Sequence, residues 1–336
     1  MAKKLKGQLK INRFKSKILK SNPLKDPYIR DILVYLPHNY SASISKGYPA
    51  IFLLPSFGNN NYSAVRNDPF SLTIFQILDN LINNGKCGEM LIVIADCFNR
   101  FGGSQYLNSN AIGNYRDYFV KEIVPYVNSK YNISSNALLG KSSGGYGAVT
   151  IGMQFPKMFK AIAAHSFDSA FEYCYMADFP VAFKMLKEKG GPNKWLTYFW
   201  NKENKSEKKD FITLNVLSMA AHYSPRKKTD SSKIHIDLPF NSRTGQINER
   251  IWKKWKIHDP INMVNKFKHN LKNLKLLFFD CGIHDEFNLF IGTKVFSEKC
   301  KRFGISHEYM QYEGGHFNTA FRYFKSLPKI YSSLSK

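Results

Sequence analysis

The chain has 336 residues, of which 43% are hydrophobic and 15% aromatic, and its formal net charge is +24. This length suits one large α/β domain or two smaller ones, with enough apolar material for a core. No apolar run approaches the roughly 18 residues of a membrane span. Residues 1–7 are basic like the start of a signal peptide, but no apolar segment follows them. We therefore expect an unexported, cytoplasmic protein without a membrane span.

The positive charge admits two interpretations. A nucleic acid or an anionic membrane would attract it. However, the lysines are spread along the chain, cluster only at 1–25 and 201–209, and accompany no nucleic-acid-binding motif. We favour a lysine-rich solvated surface and expect no specific nucleic-acid partner. An acidic substrate remains an open alternative.

The cysteines are scattered and odd in number, and none forms a C-x-x-C pair. They are Cys87, Cys97, Cys174, Cys281 and Cys300. This usage is typical of a reducing compartment, and it argues against a zinc site or a disulfide framework.

Strands and helices alternate over most of the chain. The hydrophobic pattern predicts strands at 13–20, 30–36, 48–55, 90–95, 138–139, 161–164, 274–280 and 307–312. It predicts helices at 70–84, 115–131, 145–154, 287–303 and 317–331. The first two strands are expected to be antiparallel. The remainder implies a mostly parallel eight-stranded α/β sheet with helices on both faces and an active site at the carboxyl ends of the strands.

The alternation stops between residues 171 and 268. Helices are predicted there at 179–189 and 211–219, and an extended piece at 234–238. We expect one domain over residues 1–336 with an inserted cap at 171–268 that lies over the strand ends. The cap is rich in aromatic side chains, which either line a substrate pocket or, more commonly, form the core of the cap: Phe171, Tyr173, Tyr175, Trp195, Trp200, Trp252 and Trp255.

A glycine-serine motif follows the fifth predicted strand. Gly140, Ser142 and Gly144 fit G-x-S-x-G, the pattern of a nucleophile elbow between a strand and a helix. Such a turn pushes the serine hydroxyl outward, and the helix N-terminus favours negative charge at the same place. The five-residue pattern by itself also fits an unrelated glycine-rich turn, so the rest of the chain must supply a base, an acid and an oxyanion hole.

A base and an acid are found after the last two predicted strands. A serine hydroxyl needs an adjacent base, and the base needs an acid to fix its tautomer. His316 lies between the eighth strand and the last helix, directly after Gly314 and Gly315, and is the candidate base. Asp285, in the turn after the seventh strand, is the candidate acid. The order Ser142, Asp285, His316 is that of α/β-hydrolases.

Other carboxylates remain alternatives for the acid. Glu286 is adjacent to Asp285, and we expect it to point the other way. Asp280 ends the seventh strand and is expected to be structural. Asp168 follows the sixth strand, from which some hydrolases take their acid.

The oxyanion hole is expected to use two backbone amides. One belongs to Ser143, directly after the nucleophile, and the other to the loop after the third strand, where Phe57 is favoured over Ser56. An ordinary surface loop at 55–61 is the other interpretation of that segment.

With these residues assembled, the sequence resembles the putative-esterase family of α/β-hydrolases. This family includes S-formylglutathione hydrolase (esterase D), feruloyl esterases, enterochelin esterases and mycolyltransferases, and the likeness is strongest to uncharacterised bacterial enterochelin-esterase-like members. It extends over roughly residues 14–330. Four segments carry it: GKSSGGYGA at 140–148, HSFD at 165–168, DCGIHDEF at 280–287 and GGH at 314–316.

The resemblance implies an α/β-hydrolase fold with Ser142 as nucleophile, Asp285 as acid and His316 as base. One segment departs from the family: many members have His-Gly where this chain has Pro55-Ser56. A backbone amide can serve as the second oxyanion donor with either sequence. The cap region varies with substrate in such enzymes, so the resemblance implies no particular substrate.

We therefore predict a serine hydrolase that cleaves small-molecule carboxylic esters through an acyl-enzyme intermediate, without a metal or an organic cofactor. An acyltransferase with the same triad and a non-catalytic binding protein on the same scaffold are the alternatives. All three triad positions are filled, which argues against the binding protein. The sequence does not indicate the oligomeric state.

Overall fold

The computed structural model describes residues 5–66, 68–226 and 233–335. Within these ranges, one sheet of eight strands forms the centre of the fold. The strands are β1 Gln8–Lys15, β2 Ile29–Leu36, β3 Tyr48–Leu54, β4 Leu91–Ala95, β5 Ile133–Lys141, β6 Ala161–His165, β7 Leu276–Gly282 and β8 Glu308–Tyr312. Their spatial order is β1-β2-β4-β3-β5-β6-β7-β8.

Only β2 runs against the other strands. It pairs antiparallel with both β1 and β4, whereas every other neighbouring pair is parallel. The interior strands β3, β4 and β6 are buried along their whole length, as expected of strands covered on both faces. The predicted mostly parallel sheet with an antiparallel start is confirmed.

Helices connect the strands and cover both faces of the sheet. They are α1 Ile74–Asn83, α2 Tyr115–Asp117, α3 Val124–Lys130, α4 Ser143–Gln154, α5 Phe171–Cys174, α6 Phe179–Glu188, α7 Pro192–Asn201, α8 Lys208–Tyr223, α9 Glu249–Lys256, α10 Pro260–Lys272, α11 Leu289–Arg302 and α12 Tyr323–Leu334. A π-helical segment, Tyr118–Ile123, joins α2 to α3 directly before Pro125. Pro125 has no N–H to donate to the preceding turn, which accounts for the change in helix type within the predicted helix 115–131.

Alternate side chains of the strands enter two separate apolar layers. Leu33 and Ile51 belong to the layer that contains α1 and α12. Val34 and Phe52 belong to the layer on the other face, which contains α3, α4 and α11. In the described residues, no helix combines the length and the apolar character needed to cross a membrane.

The first strand lies five residues earlier than predicted. Its ladder runs from Gln8 opposite Leu36 to Lys15 opposite Ile29. Beyond Lys15, the backbone N–H groups of residues 17 and 18 donate to the carboxylate of Glu122 at 2.8 and 3.1 Å, so the chain leaves the sheet there. The prediction of 13–20 was therefore wrong in register, because the partner that ends the strand is distant in sequence.

Two other boundaries also moved. The fifth strand extends over nine residues because its start, through Ile133, Ser135 and Asn136, pairs with β3 although it lacks a strand-like pattern. The last helix begins at Tyr323, six residues later than predicted. Helices α7, α9 and α10 were not predicted at all. Helix α10 packs against α4 and so joins the layer that supports the sheet. The division into one domain with a cap at 171–268 stays a prediction.

A buried ion pair ties the sheet to the C-terminal segment. Asp280 in β7 binds Nδ1 of His165 in β6 at 2.7 Å and Nε of Arg322 at 2.8 Å. All three side chains are buried. Removing one partner of such a group leaves the others desolvated and unpaired.

We expect Asp280→Asn to lower the free energy of unfolding by about 3–5 kcal/mol, because Arg322 loses its buried counter-charge. Urea denaturation measures this change. The control is Glu298→Gln, which removes an exposed carboxylate that binds Lys301 at 2.8 Å and should leave the stability unaltered. Equal stability of Asp280→Asn and the wild type would contradict the prediction.

Candidate active site

Ser142 lies in a strained turn between β5 and α4. Its backbone has φ 55° and ψ −129°, in a region that non-glycine residues rarely occupy. The turn is held from both sides, since the Ser142 N–H donates to the carbonyl of His165 at 2.9 Å and the Tyr146 N–H donates to the carbonyl of Ser142 at 2.8 Å. The predicted elbow therefore has the backbone geometry that the motif implies.

Two glycines allow this turn to form. A Cβ added to Gly140 would lie 2.2 Å from the carbonyl oxygen of Gly144, and one added to Gly144 would lie 2.0 Å from that of Leu54. Both distances are shorter than any real contact of a Cβ atom. The close approach of β5, α4 and β3 thus requires glycine at each position.

His316 and Asp285 form a buried pair. Nδ1 of His316 lies 2.8 Å from Oδ2 of Asp285, and the two residues are 5% and 3% exposed. They meet because the turns after β7 and β8 pack together: the His284 N–H donates to the Gly314 carbonyl at 3.0 Å, and a Cβ on Gly282 would lie 2.2 Å from that oxygen.

The surroundings of Asp285 favour its ionised form. Burial is the largest influence on this carboxyl and raises its pKa, whereas the hydrogen bond and charge of His316 lower it. The backbone N–H groups of Phe287 and Leu289 also donate to Oδ1, at 3.0 and 3.4 Å. Together these contacts hold the pKa of Asp285 below its usual range. The carboxylate is therefore suited to orient and stabilise a protonated imidazole.

None of the alternative acids contacts the His316 ring. Glu286 accepts the backbone N–H of His316 at 2.5 Å and so fixes the loop rather than the imidazole. Asp280 binds His165 and Arg322, as described above. Asp168 accepts from Tyr175 at 2.9 Å and from Gln105 at 3.4 Å. The positioning contact of Glu286 was not anticipated, since nothing in its sequence context distinguishes it from a surface carboxylate.

A second serine, histidine and aspartate are also in contact. Nε2 of His165 lies 3.0 Å from Oγ of Ser326, and its Nδ1 binds Asp280. These side chains are 0–2% exposed and do not line the cavity that contains Ser142. The contacts of this group are those of a catalytic triad. However, no substrate can reach it, so it cannot act as one.

The two expected oxyanion donors meet at the elbow. The Phe57 N–H donates to Oγ of Ser143 at 2.6 Å. The Ser143 N–H belongs to the first turn of α4, where N–H groups have no intrahelical acceptor. The structure thus places both residues beside Ser142, with the Phe57 amide directed at the Ser143 hydroxyl.

A cavity of about 580 Å³ opens over the elbow. Ser142, Ser143, Phe57 and His316 all line it, while Asp285 lies behind His316. The cap region contributes much of the remaining wall, through residues of α5, α7 and α8 and the adjoining segments: Cys174, Tyr175, Phe199, Trp200, Lys205, Phe211, Leu214 and Asn215.

The aromatic residues of the cap divide between the two roles considered from the sequence. Tyr175 and Trp200 line the cavity. Phe171, Trp195, Trp252 and Trp255 are buried in the apolar core, and Tyr173 is exposed.

Three charged side chains also reach this cavity. Lys141, directly before the nucleophile, places Nζ 5.9 Å from the Phe317 ring centre, and burial lowers the pKa of its ammonium group. Lys205 comes from the cap region. Asp168 is almost fully buried, and burial raises its pKa to about 6 against the opposing hydrogen bonds of Tyr175 and Gln105. Lys141 is the second residue of the G-x-S-x-G motif, and this position beside the nucleophile is the sequence signal that indicates a place in the site.

Comparisons with known proteins extend over nearly the whole chain. The family model described as Putative esterase matches residues 28–330. A ferulic acid esterase has a similar structure, with TM-score 0.61, 19% identity and coverage of 98% of this chain and 100% of that one. An S-formylglutathione hydrolase from Agrobacterium tumefaciens has TM-score 0.60, 13% identity and coverage of 99% and 97%. No curated protein matches the sequence.

The fluorophosphonate-binding serine hydrolase F of Staphylococcus aureus is also similar, with TM-score 0.56, 15% identity and coverage of 98% of this chain and 99% of that one. At these identities the similarity concerns the fold. The architecture is therefore the α/β-hydrolase fold expected from the sequence.

The raised pKa of Asp168 predicts a pH-dependent effect on stability. Between pH 3.8 and about 6 the unfolded chain has released this proton while the folded chain retains it, so stability falls as pH rises. Asp168→Asn does not lose stability in this way, because an amide does not titrate. The variant should therefore gain stability relative to the wild type between pH 4 and pH 7, as measured by denaturation midpoints. A difference that is the same at every pH would contradict the prediction.

Proposed function

We propose that this chain, which belongs to the putative esterase family and is a carboxylic ester hydrolase, attacks its substrate with Ser142. The observation that carries the proposal is the buried Asp285–His316 pair, whose imidazole lines the same cavity as the strained elbow serine. We further propose that the cap region, which supplies much of the cavity wall, selects the substrate.

His316 is the general base in this proposal. Its Nδ1 binds Asp285, so the proton of the neutral ring is assigned to Nδ1 and the lone pair to Nε2. Nε2 takes the proton of the Ser142 hydroxyl as Oγ forms a bond to the acyl carbon. Asp285 fixes the tautomer and stabilises the imidazolium that results.

The N–H groups of Ser143 and Phe57 stabilise the negative oxygen of the tetrahedral intermediate. In the structure, the Phe57 N–H is already bonded to Oγ of Ser143. The substrate oxygen must therefore share or replace that acceptor. Rotation of the Ser143 side chain about χ1 would release the Phe57 N–H for the substrate oxygen.

The intermediate collapses when the bond between the acyl carbon and the alcohol oxygen breaks. His316 returns its proton to the leaving alcohol. A water molecule then gives a proton to His316 and adds its oxygen to the acyl carbon, and the bond to Ser142 breaks as the carboxylic acid leaves. The proton returns to Ser142, which completes the cycle.

The first test is labelling with a fluorophosphonate probe, followed by peptide mapping. We expect the label on the peptide that contains Ser142 in the wild type and its absence in Ser142→Ala. The same variant should lose about a million-fold in kcat on p-nitrophenyl esters. Ser326 is an internal control, because it contacts a histidine but lies outside the cavity and should stay unlabelled.

Two outcomes would contradict the assignment of Ser142. One is full esterase activity in Ser142→Ala. The other is a folded wild-type protein that hydrolyses esters while its label maps to a different serine.

A second test separates the candidate acids. Asp285→Asn should lower kcat by about ten-thousandfold, because the amide stabilises the wrong tautomer of His316. Asp168→Asn should lower it far less, since the Asp168 side chain has no hydrogen bond to His316. Steady-state kinetics with one ester measures both. A larger loss in Asp168→Asn than in Asp285→Asn would identify Asp168 as the acid.

A further inference from the structure

A second cavity, of about 420 Å³, adjoins the active site. Trp200 in α7 lines both cavities, and one loop serves both, since Arg100 and Phe101 line the second and Gly102 the first. The rest of its wall comes from residues 23–25, from residues 110–111, from α7 and from residues 233–235. The second space therefore borders the active-site cavity at Trp200.

Among the described residues, the wall of the second cavity contains four formal positive charges and no carboxylate. The cationic residues are Lys25, Arg100, Arg226 and Lys233. Like charges held around one concave space repel one another and strengthen the field inside it. A multiply charged anion in that space relieves the repulsion. We call this space the cationic cavity.

The two arginines are held so that part of each guanidinium stays free. Nε of Arg100 donates to Asp26 at 3.0 Å, and Nε of Arg226 donates to Asp237 at 2.5 Å. The terminal NH₂ groups of both arginines make no hydrogen bond to other described residues. Among the described residues, Lys25 and Lys233 also have no acidic partner. The free donors are the kind that bind phosphate or carboxylate oxygens.

His235 provides an independent observation. Its Nε2 atom is buried and has no hydrogen-bond partner among the described residues, and the residue lines the cationic cavity. The neighbouring backbone is fixed, because Asn193 exchanges two hydrogen bonds with Ile234. A buried polar atom without a partner is costly. A turn of the His235 ring toward the cavity would let this nitrogen bond to an oxygen of the ligand.

We propose that the cationic cavity binds the anionic end of the ester substrate, a multiply charged oxyanion such as a phosphoryl group or a pair of carboxylates. The proposal rests on the proposed function of the adjacent site. Arg100 and Arg226 are paired with Asp26 and Asp237. The uncompensated charge therefore comes from Lys25 and Lys233, and two such cations favour a group of charge −2 over a single carboxylate. Lys141 and Lys205 extend the positive surface into the active-site cavity, toward Ser142.

Direct binding tests the cavity apart from catalysis. The protein is Ser142→Ala, titrated by calorimetry at low salt with inorganic phosphate and, separately, with succinate. We expect saturable binding of at least one anion. The anion that binds more tightly indicates whether the cavity prefers a phosphoryl group or a pair of carboxylates. Adding Lys25→Gln and Lys233→Gln should weaken binding by at least about tenfold, since two charge-assisted contacts are lost. Neither lysine has an acidic partner among the described residues, so we expect folding to be unaffected.

A matched pair of substitutions controls for general charge. Lys266 and Arg302 are exposed residues of α10 and α11 that do not line the cationic cavity. Lys266→Gln with Arg302→Gln removes the same charge and should leave anion binding unchanged. Equal weakening by both pairs, or no saturable binding of either anion, would overturn the proposal.

Kinetics on a protein with Ser142 intact tests the link to the substrate. In the first series, neutral p-nitrophenyl hexanoate is compared with analogues that carry a phosphate or a carboxylate on carbon 6 of the acyl chain. In the second series, the same anions are placed on the alcohol part of the ester, and each ester is compared with its neutral form. The Lys25→Gln and Lys233→Gln pair should raise KM about tenfold for the preferred anionic ester and leave the neutral ester unchanged. No selective effect on any anionic ester would overturn the proposal. Loss of Ser142 labelling would contradict only the proposed function, because the calorimetry does not depend on catalysis.

Discussion

The active site depends on one strained turn, in which Ser142 adopts a positive φ between β5 and α4. Such backbone strain persists only where the surrounding structure holds it. Here the neighbouring strands come so close that a side chain at Gly140 or Gly144 would collide with backbone oxygens. Hydrogen bonds from Ser142 to His165 and from Tyr146 to Ser142 fix the remaining freedom. The packing of the strands therefore fixes the backbone of Ser142 and directs its hydroxyl to the cavity.

The described residues include two histidine–aspartate pairs with different roles. His316 and Asp285 lie on turns beyond the strand ends, and His316 lines a cavity. His165 and Asp280 lie within the sheet, bonded to Ser326 and Arg322, and are closed to solvent. Contact geometry is nearly equal in the two pairs, so access decides which one can act on a substrate. The buried pair instead connects β6, β7 and the C-terminal segment.

Residues of the region 171–268 supply much of the wall of the active-site cavity. The wall of the active-site cavity combines aromatic rings such as Tyr175 and Trp200 with the charges of Lys141, Lys205 and Asp168. In the adjoining cavity beside Trp200, the charged residues that the structure describes in the wall are all cationic. The net charge of +24 was interpreted from the sequence as a solvated surface. Part of it instead gathers in one concave space beside the site, where it has an effect that a dispersed surface charge lacks.

The sequence determined the sheet type, the family and the elbow, because each depends on local patterns: buried strands, glycines around Ser142 and short motifs after strands. It misplaced β1, since the carboxylate of Glu122 that ends the strand is about a hundred residues away. It left the acid open between Asp285 and Asp168, and only the packing of Gly282 against Gly314 brings Asp285 to the imidazole. Tertiary structure alone decided these contacts and the clustering of cations, because strand order, rather than sequence distance, determines which turns meet.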